Sequence, residues 1–379
     1  MSSTTLHSAT EVDSKIKNLN LYPIDYPFET LVARINNNKL ILDPDFQRKY
    51  KWDRDGWEKA SRFIESALMR IPLPSCYFAE NDQGNQMVID GVQRLSSISK
   101  FLNNEFRLQG LKVFKELEGK SFEELGNYRT ELETTTIRCI VLRRENPSYL
   151  IREIFARLNR GAVTLTDQEI RRALYPGSLN NLLKELGQDT IIQNFGLPLL
   201  GTLRRKSPKT LKELEERRQK RINDLVHEEQ VLRYFALRQG LQNDLTSYND
   251  VLKDLLDEYM EKQANISADE INNLREAFSK ALSNCQKVFG EKLFTGLQNR
   301  QSLIYFDLQM HTIGTLSTDK LTSEYIDKVQ KAYQNLFDPN SSNSKTFKAL
   351  ITGATQTKKK ILGRHKKWME ILVQLDNQA

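Results

Sequence analysis

Two short segments carry residue types that handle phosphates: Asp43-Pro44-Asp45-Phe46-Gln47-Arg48, and Val88-Ile89-Asp90-Gly91-Val92-Gln93-Arg94-Leu95. In the second, an apolar run passes through Asp-Gly into a helical pattern with an arginine in its first turn. A helix N-terminus presents unpaired backbone N–H groups and a partial positive charge, which suits an anion. Gly91 allows backbone to approach a phosphate closely, and Arg94 adds a planar cationic fork. Gln47 and Arg48 supply further donors from a separate strand end. The same residues have a plainer reading, in which Asp90 caps the helix, Gly91 makes a tight turn and Arg94 is solvated. Neither a GxxxxGK[ST] phosphate loop nor a complete dinucleotide-binding glycine fingerprint occurs.

The elements that must hold these residues follow from periodicity. Residues 28–36 form a short helix with Leu31, Val32 and Ile35 on one side. Leu40-Ile41-Leu42 is a short strand ended by Asp43-Pro44. Residues 55–70 form a helix, with Trp57, Ala60, Ile64, Ala67 and Leu68 at helical spacing, stopped by Ile71-Pro72-Leu73-Pro74. Cys76-Tyr77-Phe78 and Met87-Val88-Ile89 are strands around a polar turn, and 136–142 alternates as another. Residues 92–103 make the helix behind the site. From Pro147 onward only helical patterns occur, over about 221–237, 246–263, 268–289, 301–314, 322–337 and 355–376, with 207–220 a charge-dense linker or exposed helix. Thr166-Asp167-Gln168-Glu169 is a capping box, which gives Glu169 a structural duty. The expectation is an α+β protein: a flexible N-terminus over 1–20, a domain with a small mixed sheet over 21–177, and an all-helical domain over 178–379.

Over residues 24–177 the order and spacing of these motifs resemble the DGQQR-motif domain at the N-terminus of GmrSD-type restriction endonucleases, which has a ParB/sulfiredoxin-like fold. The similarity runs through Asp45-Phe46-Gln47-Arg48, Tyr50-Lys51-Trp52-Asp53, Trp57, Ile71-Pro72-Leu73-Pro74, Ile89-Asp90-Gly91-Val92-Gln93-Arg94-Leu95, the block 154–161 and Glu169-Ile170-Arg171. Beyond it the similarity is weak, through Arg221 and 229–235. Two positions depart from the family: Val92 replaces a glutamine of the motif, and Arg172 stands where asparagine is usual. The resemblance implies a nucleoside triphosphate held by Gln47, Arg48, Asp90, Gly91, Gln93, Arg94 and Asn159. It implies hydrolysis, with Asp90 as the catalytic residue orienting the loop, a water or a Mg²⁺ ion, in a bacterial restriction or anti-phage defence system with a partner nuclease or defence protein. Which nucleotide is bound stays open. Two other functions stay open beside it: a DNA-binding or modification-sensing module without hydrolysis, and a ParB-like nuclease.

Composition narrows these classes. The chain has 379 residues, 39% hydrophobic and 28% charged, enough for two cored domains. His7, His227, His311 and His365 have no nuclease or metal spacing, so no metal site is expected, and the helical half is not expected to be the HNH nuclease that many relatives carry. Cys76, Cys139 and Cys285 match no metal or redox pattern and read as buried thiols in a reducing cytoplasm. No apolar run reaches the ~20 residues that span a bilayer, so no membrane partner is expected. A net charge of +7 permits DNA as a partner without requiring it. The basic tail has two readings. Its apolar residues Ile361, Met369, Ile371 and Leu372 would dock on their own domain. Alternatively, Lys358, Lys359, Lys360, Lys366 and Lys367 would bind a phosphate backbone, with Trp368 stacked on a base.

Overall fold

The computed structural model describes residues 19–42, 52, 56–81, 84–146, 148–158, 166–197, 208–296 and 300–377. The chain divides into two compact units, Met1–Leu165 and Thr166–Ala379.

The N-terminal unit is built on one mixed sheet of five strands: β1 (Leu21–Pro27), β2 (Leu40–Ile41), β3 (Cys76–Glu80), β4 (Gln86–Asp90) and β5 (Thr136–Leu142), in the order β1-β5-β3-β4-β2. β3 and β4 form an antiparallel pair, while β5 runs parallel to β3 and β2 parallel to β4. Helices α1 (Phe28–Asn36), α2 (Glu58–Leu68) and α3 (Val92–Leu102) bury their apolar stripes, so that Phe28, Leu31, Ala60, Ile64, Leu95, Ile98 and Phe101 are fully enclosed with Phe78 of β3. Two further α-helices, α4 (Tyr128–Thr134) and α5 (Ser148–Leu158), flank β5 in the chain.

β1 lies where the sequence reading placed no element, and it contains Pro23 and Pro27. It survives as an edge strand, where a missing N–H is tolerated, and it is antiparallel to β5 with Asp25 opposite Arg138. The Arg138 guanidinium reaches both Asp25 oxygens, at 3.0 and 2.9 Å, and holds that carboxyl below its ordinary range. α2 hides a second feature that periodicity does not reveal. Glu65 on its buried side accepts the backbone N–H groups of Lys112, Val113 and Phe114, at 2.9, 2.7 and 3.1 Å, and so pins the segment after α3. Trp57 stacks on Phe106 at 4.4 Å between centroids and Trp52 tilts against Phe63, both as packing residues.

The second unit is helical: α6 (Asp167–Leu174), α7 (Ser178–Gly187), α8 (Thr190–Gln193), α9 (Pro208–Asn223), α10 (Val226–Gln242), α11 (Leu252–Gln263), α12 (Ala268–Phe289), α13 (Leu303–His311), α14 (Ser323–Asn335), α15 (Ser342–Ile351) and α16 (Lys358–Asp376). Contacts divide the chain ahead of the expected boundary at 177–178, because α6 packs with the helices that follow it. Arg171 is buried and bonds to Asp257 at 2.6 Å and Glu229 at 2.8 Å. Arg172 pairs with the buried Glu228 at 3.2 Å. The arginine at that departing position therefore has its own carboxylate. The capping box starts α6 as expected: Thr166 Oγ1 accepts from Glu169 N–H, and Glu169 accepts from Thr166 N–H at 2.6 Å. Among the described residues no helix is long and apolar enough to cross a membrane.

Candidate functional site

The β4–α3 turn is where the sequence places its anion chemistry. β4 ends at Asp90, Gly91 is the N-cap of α3, and Leu95 N–H closes the first turn on the Gly91 carbonyl at 2.9 Å. Two facts require glycine here. Its φ is +106°, in the region L side chains avoid. A Cβ on it would also lie 2.4 Å from Cys76 Sγ. The close approach is therefore between backbone and a cysteine of the neighbouring strand.

Asp90 is not a cap, since no side chain caps α3. Its carboxylate accepts from Arg94 Nη2 at 2.5 Å instead. Arg94 Nη1 donates to the backbone carbonyls of Pro74 at 2.5 Å and Ser75 at 3.1 Å. One guanidinium thus ties the lead-in of β3 to the turn after β4. The plainer expectation of a solvated Arg94 is overturned: its side chain is 14% exposed, against 38% for Asp90. The ion pair is close to neutral, so the positive end of α3 is the uncompensated field at this turn. Beneath Gly91, Cys76 and Cys139 are register partners on parallel strands, and both are buried. The Cys139 thiol donates to the Ile137 carbonyl at 3.6 Å, and the neighbouring Cys76 together with burial raises its pKa.

Residues 28–176 match the family model described as the GmrSD restriction endonuclease, N-terminal domain. This part of the chain belongs to that family. No curated protein and no solved structure matches the chain.

Within the GmrSD-type domain, Gln93 sits half-buried on the first turn of α3, where its carbonyl accepts from Ser97 Oγ at 2.8 Å. Val92, the departure from the motif, is half-buried and packs against the core of the domain. Gln47, Arg48 and Asn159 lie outside the described residues, as does Arg160. Arg157 is engaged with Glu153 at 2.6 Å. Sequence reasoning missed Pro74, Ser75 and the Cys76–Cys139 pair. A backbone carbonyl leaves no mark in sequence, and two cysteines far apart acquire meaning only from strand order.

In the tail, Trp368 departs from its expected place on a base. Ile361, Trp368, Ile371 and Leu372 of α16 are buried, and the Trp368 ring meets Tyr333 edge-on at 5.4 Å. An indole so enclosed has no face for a base. Arg364, also buried, donates to the Thr355 carbonyl at 2.6 Å. Lys366 pairs with Asp244 at 3.0 Å, and the Lys360 ammonium donates to the Thr352 carbonyl. Lys358 and Lys367 are half-exposed and Lys359 is exposed. His227 and His311 are buried and His365 half-buried, within the helical unit. Among the described residues no group of three or more His, Cys, Asp or Glu is placed to hold a metal.

Proposed function

We propose that the GmrSD-type domain binds a nucleoside triphosphate at the β4–α3 turn and hydrolyses it, and that the protein works as the nucleotide-dependent part of a restriction or anti-phage defence system. The observation that carries this reading is the Arg94 clamp on the open end of α3. The glycine N-cap leaves the first N–H groups of α3 without a side-chain cap, and Arg94 holds the turn rigid from both strands. A fixed helix terminus receives a phosphate without reorganisation. Gln47, Arg48, Gln93 and Asn159 complete the donor set in this proposal. The outward part of Asp90 takes the water or a Mg²⁺ ion. One carboxylate beside substrate phosphates is the usual protein share of a Mg²⁺ site, so this donor set fits the ion. With Oδ2 held by Arg94, Asp90 is fixed as an orienting group; phosphoryl transfer relies mainly on such positioning and charge neutralisation.

The test is equilibrium binding of the four nucleoside triphosphates, with phosphate release measured in parallel, for the wild type and Asp90→Asn. The amide still accepts from Arg94, so the fold and most of the affinity are kept while turnover is lost. Absence of binding to all four refutes the proposal, and unchanged turnover in the variant removes Asp90 from the reaction. The same titration with DNA in place of nucleotide examines the second reading. That reading is favoured by Arg94, whose Nη1 and Nη2 are engaged by Pro74, Ser75 and Asp90 and so are not spent on a triphosphate.

A further inference from the structure

The helical unit contains a groove of about 840 Å³ between α13, the segment that follows α14, and α15, within the range of ~300–1,000 Å³ that small-molecule sites occupy. Its lining includes three cations, Arg300, Lys345 and Lys348, and no aspartate or glutamate. Among the described residues none of the three makes an ion pair, so their charge is not neutralised by a neighbouring carboxylate. Lys345 and Lys348 are exposed and three apart on α15, so they share a face. The other wall is aromatic. The half-buried Tyr305 ring meets Phe337 edge-on at 5.7 Å, and it lies so close to Gly296 that a Cβ there would be 2.3 Å from its hydroxyl. The ring is thereby held in place on two sides. Hydroxyls of Ser302 and Thr352 add neutral hydrogen-bonding groups, and the Ser302 oxygen has no partner.

We propose that this groove binds single-stranded nucleic acid, with Arg300, Lys345 and Lys348 on successive phosphates and a base against Tyr305. Unpaired cations without an acid among them recruit a polyanion through counterion release. A fixed aromatic beside them is the arrangement that takes unpaired bases, because every base has a π-face. A duplex would keep its bases away from that ring. An acidic peptide would match the charge and make no use of it. The proposal concerns the helical unit and stands independently of nucleotide binding at the β4–α3 turn.

The experiment is fluorescence anisotropy of short labelled oligothymidylate and oligouridylate with the full chain, at several salt concentrations. The expected result is binding that weakens with salt. Combined Arg300→Glu, Lys345→Glu and Lys348→Glu should lower affinity by about tenfold or more and flatten the salt slope by about two units, at ~0.7 per lost contact on a single strand. Tyr305→Leu should weaken binding by about tenfold, while Tyr305→Phe retains it. The charge changes are on the surface, and a melting curve for each variant confirms folding. Preference between the two oligomers identifies DNA or RNA. The proposal falls if neither oligomer binds at low salt, if the charge variant binds like wild type, or if a mononucleotide matches the oligomers. It falls equally if an acidic peptide displaces them as well as unlabelled strand does. The combined change Lys358→Gln, Lys359→Gln and Lys367→Gln should bind as wild type; if that variant carries the loss, the tail is the site and the groove is not.

Discussion

Gly91→Ala should be among the most damaging single-methyl additions in the N-terminal domain, and its cost can be worked from two separate terms. At φ +106° an alanine is in left-handed backbone, which costs an L residue about 1–2 kcal/mol. The new Cβ would be 2.4 Å from Cys76 Sγ and 3.0 Å from Cys76 Cβ. Relieving the sulfur contact displaces β3 or the turn inside a packed core, an overpacking cost of about 1–3 kcal/mol. The sum is about 2–5 kcal/mol. The two terms separate in a double-mutant cycle with Cys76→Ala, which removes the sulfur and leaves the torsion. In that background Gly91→Ala should cost only about 1–2 kcal/mol plus what remains of the Cβ–Cβ contact, a coupling of about 1–3 kcal/mol. The chain has two units, so one global melt is the wrong readout. Hydrogen exchange of peptides from β3, β4 and α3 reports local opening of this region. Equal cost of Gly91→Ala with and without the Cys76 sulfur would refute the contact as its cause. A cost below 1 kcal/mol would refute both terms together.

Arg94→Ala should destabilise the same region by about 1–3 kcal/mol, because Pro74 O, Ser75 O and Asp90 lose one shared charged donor; exchange rates unchanged from wild type would show the clamp to be idle. Asp257→Ala leaves the buried Arg171 short of its nearest carboxylate, and the helical unit should lose about 3–5 kcal/mol in urea titrations, whereas a loss under 1 kcal/mol would mean that Glu229 suffices. Trp368→Ala should cost about 3–5 kcal/mol by opening a cavity against Tyr333; hydrogen exchange of α14 and α16 peptides unchanged from wild type would show that α16 is not docked. Burial lowers the His311 pKa to about 3, and lowers His227 and His365 as well. The folded protein keeps His311 neutral while the unfolded chain takes up a proton below about pH 6.5, so its contribution is intact above that pH and falls by about 1.4 kcal/mol per unit as the pH drops toward 3. His311→Phe preserves the ring stacked on Tyr234 and should flatten the fall in stability between pH 7 and pH 5; the same fall in both proteins would assign it elsewhere.

Local patterns determined much of this protein before any coordinates. The α1 helix appears at the residues its apolar spacing indicates, and β3, β4 and β5 arise where short apolar runs end in turn residues. α12 also spans the expected 268–289, and the Thr166 capping box forms. These features depend on neighbours within a few residues, and sequence records such neighbours directly. The Asp-Gly turn into α3 was legible for the same reason, as was the choice of glycine. What Asp90 and Arg94 bond to was not. Those partners include carbonyls at Pro74 and Ser75, and a backbone acceptor has no side-chain signature. Strand order alone brings Cys139 beside Cys76, and with it the sulfur that forbids a side chain at Gly91. The tail shows the same division: its amphipathic composition favoured docking and still admitted nucleic-acid binding, because charge and apolarity on a helix describe its faces without saying what covers them. Enclosure of Trp368 by the other helices decided that its indole packs in the core. Residue types thus set which local shapes and which chemistries were available, while long-range packing selected the partner that each charged or aromatic group meets.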